Sequence, residues 1–127
     1  MSDPTGPITA ITLFVDDLAS AKEFYIRAFD LPVHYEDDVS AVFAFGPTLV
    51  NLLDIAEAHG LIAPAPVGSA TAGARMQLTL TVDDVDASAA LLRSRGVELL
   101  NGPMDRPWGI RTAAFADPAG NIWELAH

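Results

Sequence analysis

The feature that most constrains this 127-residue chain is that it contains one pattern twice. Residues 8–33 read ITAITLFVDDLASAKEFYIRAFDLPV, and residues 75–99 read RMQLTLTVDDVDASAALLRSRGVEL, so the VDD at 15–17 falls on the VDD at 82–84. Each copy runs as an alternating segment, an acidic turn, a helix-like stretch and a second extended segment. One shared tripeptide arises by chance easily; a shared order of elements points to a duplicated supersecondary unit.

The opening segments alternate with period two, as half-buried strands do. Ile11, Leu13 and Val15 share one face, and Ala10, Thr12 and Phe14 the other. In the second copy Leu78, Leu80 and Val82 are opposed by Gln77, Thr79 and Thr81. One face of each strand is therefore expected against a helix, and the more polar face elsewhere. Asp17 and Asp84 stand where a carboxylate accepts from the free N–H groups of a helix start. The helices are predicted over 18–29 and 85–95, stopped by Pro32 and Gly96 respectively.

Further strands are expected at 41–45 and 48–54, joined through Gly46 and Pro47, and at 109–116 and 121–125, joined by the DPAG turn at 117–120. The Ala-, Gly- and Pro-rich stretch 56–74 reads as a linker or covering loop. The predicted class is α+β: two tandem βαβββ modules, about 7–55 and 75–127, forming paired curved mixed sheets around a cleft with helices on the outer faces.

Charge narrows the partners. Seven Lys plus Arg against seventeen Asp plus Glu give a formal charge of −10, which repels phosphate backbones, so no nucleic-acid partner is expected. No apolar run approaches the roughly 20 residues of a membrane span, and the first six residues lack the basic start and apolar stretch of a secretory signal. A cytoplasmic protein without membrane partners is the expectation. The absence of cysteine excludes disulfides and thiolate ligands.

The segments VDDLASAKEFY, VDDVDASAALLRSRG and FADPAGNIWEL together resemble the vicinal oxygen chelate superfamily, which includes glyoxalase I, extradiol dioxygenases and bleomycin resistance proteins. The resemblance covers nearly the whole chain and implies the same paired βαβββ modules. In metal-dependent members the ligands come from the first and last strands of each module. The resemblance carries those positions onto Ala10, Asn51, Gln77 and Glu124. Zinc, nickel, manganese or iron favour carboxylates and imidazoles. Here only Glu124 is a good ligand, and Ala10 offers no donor. No native metal or other cofactor is therefore expected; His34, His59 and His127 are read as solvated surface residues.

Strand parity nominates Thr12, Phe14, Phe43, Phe45, Leu53, Thr79, Arg111, Phe115 and Glu124 as pocket-facing, and Trp123 as helix-facing core. Trp108, in the RPWG segment at 106–109, is placed near the cleft mouth, against a ligand or against the linker or a partner subunit. Arg111 is expected either to bind an anionic ligand group with its planar fork or to neutralise Glu124. Two functions stay open. One is a binder that sequesters an aromatic or cationic small molecule, acting as a homodimer. The other is a metal-dependent lyase, isomerase or dioxygenase in which Gln77, Glu124 and Asn51 are ligands. Glu124 is also the candidate base for a metal-free reaction.

Overall fold

Each copy folds as its periodicity dictates, into a four-stranded mixed sheet crossed by one helix of ten residues or more; the computed structural model describes residues 4–127. The first sheet is built from β1 (Ala10–Val15), β2 (Tyr35–Glu36), β3 (Ser40–Phe45) and β4 (Thr48–Asp54), in the order β1-β4-β3-β2, with α1 (Leu18–Phe29) after β1. Next comes a 3-10 turn (Ile55–Glu57), a short helix α2 (Ala58–Ile62) and a second 3-10 turn (Ala70–Ala72). The second sheet repeats the first: β5 (Gln77–Thr81), α3 (Val85–Ser94), β6 (Leu99–Asp105), β7 (Arg111–Ala116) and β8 (Ile122–Ala126), in the order β5-β8-β7-β6. β1 pairs with β4 and β5 with β8 in parallel; the remaining pairs are antiparallel. No helix among the described residues is long and apolar enough to cross a membrane.

The helix starts are those expected. Asp17 accepts from the Ser20 amide at 3.0 Å, and Asp84 from the Ala87 amide at 3.1 Å, the third residue in each case. The Ser20 amide bond also holds the Asp17 carboxyl below the usual range. The first helix stops three residues before Pro32. Asp30 turns left-handed at φ 52° and its N–H reaches the Ile26 carbonyl. Gly96, at φ 81°, follows α3 and its cap residue Arg95. The linker carries local structure that its Ala/Gly/Pro composition does not advertise.

The α+β class with two mixed sheets is the one expected. Strand parity sets the more polar faces toward each other around the cleft; within the chain, aromatic packing joins the opposite, helix-side faces instead. Phe43 and Phe45 of β3 lie on the same face as Leu13 and Leu52, the face that α1 covers with Ala21, Phe24, Tyr25 and Ala28. Phe115 and Trp123 are cross-strand partners on the corresponding face of the second sheet. Those two faces share one core: Phe45 stacks on Trp123 at 5.0 Å between centroids, and Phe29 of α1 lies 5.2 Å from Trp123. So α1, expected on an outer face, leans on both sheets within the chain. The opposite faces of the sheets turn outward, leaving Ala10, Thr12, Gln77, Thr79 and Thr81 exposed.

A buried relay ties the modules together. The Trp123 indole donates to the Tyr25 hydroxyl at 2.9 Å, and that hydroxyl donates to Asp117 Oδ2 at 2.7 Å. Asp117 also accepts from the Ala119 and Asn121 amides and from the Asn121 side chain, each at 2.9 Å. Burial, reinforced by the Asp117 charge, pushes the Tyr25 hydroxyl far above its ordinary pKa, so it remains a donor. Replacing Tyr25→Phe keeps the ring but leaves the Trp123 N–H without an acceptor. Urea unfolding should show a loss of about 1–3 kcal/mol, the cost of an orphaned buried group; an unchanged midpoint would show that the relay does not hold the modules.

Candidate functional site

The outward face of the first sheet is largely apolar. Ala10 lies beside Leu49, Phe14 beside Leu53, and Thr12 beside Asn51, which in turn faces Val42. The chain from 66 to 76 runs past β1 and, with Ile55, Ile62 and residues 119–121, bounds a cleft of about 340 Å³ against Thr12 and Phe14. Two charged residues line it, Asp16 and Arg75. Part of the stretch read as a covering loop therefore does border a cavity on this face. Asn51 Oδ1, on the same face, is shielded from solvent and has no hydrogen-bond partner, alone among the buried side-chain polar atoms of the described residues. Such an orphan costs about 1–3 kcal/mol.

The outward face of the second sheet is polar. Gln77 pairs with Ile122 and Thr79 with Glu124, and the Thr79 hydroxyl donates to Glu124 Oε1 at 3.0 Å. Thr112 lies on this face too, two residues from Ala114, the neighbour of Glu124. Arg106 stretches across it, donating to Thr112 Oγ1 at 2.8 Å and to Asn101 Oδ1 at 3.3 Å. The Trp108 ring rests against that guanidinium, 5.8 Å from its carbon to the ring centroid, and is 68 % exposed. Arg106, read from sequence only as a surface or rim residue, thus anchors an exposed aromatic ring on the Glu124 side of the sheet. The RPWG segment carried that signal; the Arg106–Thr112 bond across the hairpin did not show in it.

Four nominated residues lie on the other side. Phe43 and Phe115 are fully buried and Phe45 stacks on Trp123, so all three belong to the shared core. The cause is register. Parity counted along each strand assigned Phe115 and Glu124 to one face, whereas the β7–β8 pairing puts Ala114 beside Glu124 and Phe115 beside Trp123. A single-residue offset moves a whole strand's side chains to the opposite face. Phe43 faces Val50, not Asn51 or Leu53, for the same reason. Arg111 shares the parity of Phe115, and its fork closes on Asp86 at 2.7 and 2.9 Å and on Asp105 at 3.0 Å; it neither reaches the cleft nor neutralises Glu124. Trp123 is core as expected, 1 % exposed. His127, expected to be merely solvated, accepts from the Val85 amide through Nδ1 at 2.9 Å and so caps the start of α3. Phe14, Thr12, Leu53, Asn51, Thr79, Gln77 and Glu124 keep the expected outward parity.

The donor set at the four chelate positions fits a divalent transition metal poorly. Ala10 ends in a methyl group, Asn51 and Gln77 offer neutral amides, and Glu124 is already engaged by Thr79. Among the described residues no three of His, Cys, Asp and Glu stand together in a way that could hold an ion. Within one chain the two pairs of positions also lie on different sheets whose outward faces diverge.

Two copies of a βαβββ unit, each forming a four-stranded mixed sheet, define a recognised fold class, and comparison identifies the family. The family model described as Glyoxalase/Bleomycin resistance protein/Dioxygenase superfamily matches residues 8–125. The chain belongs to that superfamily. It is 34 % identical over 121 residues to the uncharacterized protein YraH of Bacillus subtilis (strain 168), covering 91 % of this chain and 93 % of YraH. A glyoxalase/bleomycin resistance protein/dioxygenase from Nocardioides superposes with a TM-score of 0.84 at 26 % identity, over 99 % of this chain and 84 % of that one. TnmS3, an antibiotic binding protein from Streptomyces sp. CB03234, superposes with a TM-score of 0.73 at 28 % identity, over 98 % and 97 % of the two chains.

The Arg111 assignment has a pH signature. Hydrogen bonds from Arg111 hold the Asp86 carboxyl below the usual carboxylate range, and the Asp86 bond in turn raises the Arg111 pKa. Because the folded value is depressed, the pair's stabilisation is complete above the unfolded value, about pH 3.9, and is lost as pH falls through the folded one. In Arg111→Met the Asp86 carboxyl, followed by NMR, should titrate near its ordinary value, and this part of the acid-dependent loss of stability should vanish. An unmoved Asp86 titration would contradict the pairing.

Proposed function

We propose that this chain is a cytoplasmic, non-catalytic small-molecule binder of the bleomycin resistance type, working as a homodimer without a resident metal and holding an aromatic, cationic compound. The observation that carries this reading is the split between the two outward faces. The first sheet offers an apolar wall, Phe14 and Leu53 with the cleft beside Thr12; the second offers polar groups, Gln77, Thr79, Glu124 and the Arg106–Trp108 pair. Ligand sites combine those two features: a mainly apolar lining and a few placed polar groups. Because the walls of one chain point apart, a second copy related by a two-fold axis brings the apolar wall of one onto the polar wall of the other, twice. The likeness to an antibiotic binding protein and the poor donor set at the chelate positions support binding over metal chemistry. The net charge of −10 favours a cationic ligand through long-range attraction.

Three measurements test this. Sedimentation equilibrium should return twice the 13.4 kDa chain mass; a monomer would leave each wall alone and remove the site. Calorimetric titration with Ni²⁺, Zn²⁺, Mn²⁺ and Fe²⁺ should show no tight stoichiometric uptake. Uptake at one ion per chain would instead place the protein among the metal-dependent lyases, isomerases and dioxygenases, with Glu124, Gln77 and Asn51 as ligands. Benzamidine, a planar aromatic cation, should bind the wild-type protein and bind Trp108→Ala roughly 3–10-fold more weakly, as expected for one aromatic contact. Unchanged affinity would remove Trp108 from the site.

A further inference from the structure

We infer that the cleft beside β1 is a ligand site in its own right, separate from the groove proposed between two copies. Its ligand class is a small zwitterion with an apolar body, of which the aromatic and aliphatic α-amino acids are the simplest. The cleft is complete within one chain. Its walls are the end of β1, Ile55 and Ile62, the stretch 66–76 and the turn at 119–121. Ala10, Asn51, Gln77 and Glu124 do not line it, and neither do Arg106 and Trp108. Thr12 and Phe14 are where it touches the outward face of the first sheet.

The lining is mostly apolar, and its two charged residues have opposite sign. Asp16 directly follows β1, and Arg75 lies two residues before β5. Neither side chain makes a hydrogen bond or an ion pair with any described residue, so the two charges share one cleft without meeting. Lys22, Arg27 and Arg111 each close on a carboxylate, as a chain with seventeen acidic and seven basic residues readily allows. Arg75 does not. A ligand with a single charge fits this pair badly. A simple anion would suit Arg75 but meet Asp16 and the field of a chain at −10; a simple cation would suit Asp16 but meet Arg75. A molecule carrying both charges answers both residues and brings no net charge into that field. The arginine fork takes a carboxylate through two parallel bonds, and the aspartate accepts from an ammonium. The Phe14 ring and the apolar lining are left for the body of the ligand. The volume, about 340 Å³, lies at the small end of ligand pockets and suits a molecule with one ring.

The test is calorimetric titration with L-phenylalanine and two analogues that each lack one charge. Phenethylamine has no carboxylate, and 3-phenylpropionate has no ammonium. Wild type should bind phenylalanine about tenfold or more tightly than either, as expected for one charge-assisted contact. Arg75→Met should hold phenylalanine and phenethylamine equally, and Asp16→Asn should hold phenylalanine and 3-phenylpropionate equally. Both side chains are exposed and make no internal bond, so both variants should melt with wild type. Amide NMR shifts on adding phenylalanine should fall on residues 12–16, 66–76 and 119–121. Absence of phenylalanine binding overturns the inference. So does equal affinity for the three probes, or a set of shifts confined to β5 and β8. Trp108→Ala, which weakens benzamidine binding in the groove, should leave phenylalanine affinity unchanged; a parallel loss would put both ligands in one site and overturn the separation. Because this cleft lies within one chain, failure of benzamidine to bind removes the groove reading alone.

Discussion

The arrangement of the whole molecule depends on the Tyr25 hydroxyl. It bridges the two modules through directed bonds, receiving the Trp123 indole and donating to Asp117. Around it the rings of Phe24, Phe29, Phe43 and Trp123 lie within 5.9 Å of the Tyr25 centroid, edge-on, tilted or stacked. A buried carboxylate is tolerable only when its lone pairs are engaged, and Asp117 meets that condition with the tyrosine and three further donors from the turn that follows it. The DPAGN turn is therefore more than a hairpin connection. It presents an acceptor to a helix 92 residues earlier in the chain.

This constraint has a consequence at the opposite surfaces. Joining the modules through their aromatic faces commits those faces to the core and leaves the other two facing outward. The first of these keeps an apolar wall with one unsatisfied amide, and the second a polar wall crossed by Arg106. The superfamily that the chain belongs to includes enzymes as well as binding proteins, so membership alone does not choose between them. What distinguishes this chain are particular side chains: a methyl at residue 10, amides at 51 and 77, and a carboxylate at 124 already shared with Thr79.

Much of this was legible in the amino-acid sequence, because the signals are local. The repeat specified two modules, the aspartates at 17 and 84 specified helix starts, and alternation in β1 and β5 separated inner from outer faces. Those are properties of neighbouring residues: spacing, capping and pleat. The failures share one origin. Phe43, Phe45, Phe115 and Arg111 were assigned to the cleft by counting along single strands, and cross-strand pairing reversed them. The ends of a strand do not fix its register against another strand, and a displacement by one residue inverts every assignment on it.

The sequence by itself determined the duplicated unit, the mixed α+β class and the missing imidazole at residue 10, since each is written in the order and identity of residues. Only the tertiary structure decided that the aromatic faces meet, that Arg111 belongs to Asp86 and Asp105, that His127 caps α3, and that Asn51 holds an oxygen with no partner. These are relations between segments far apart in the chain. They are settled by which surfaces bury most apolar area together, a competition that no single segment contains.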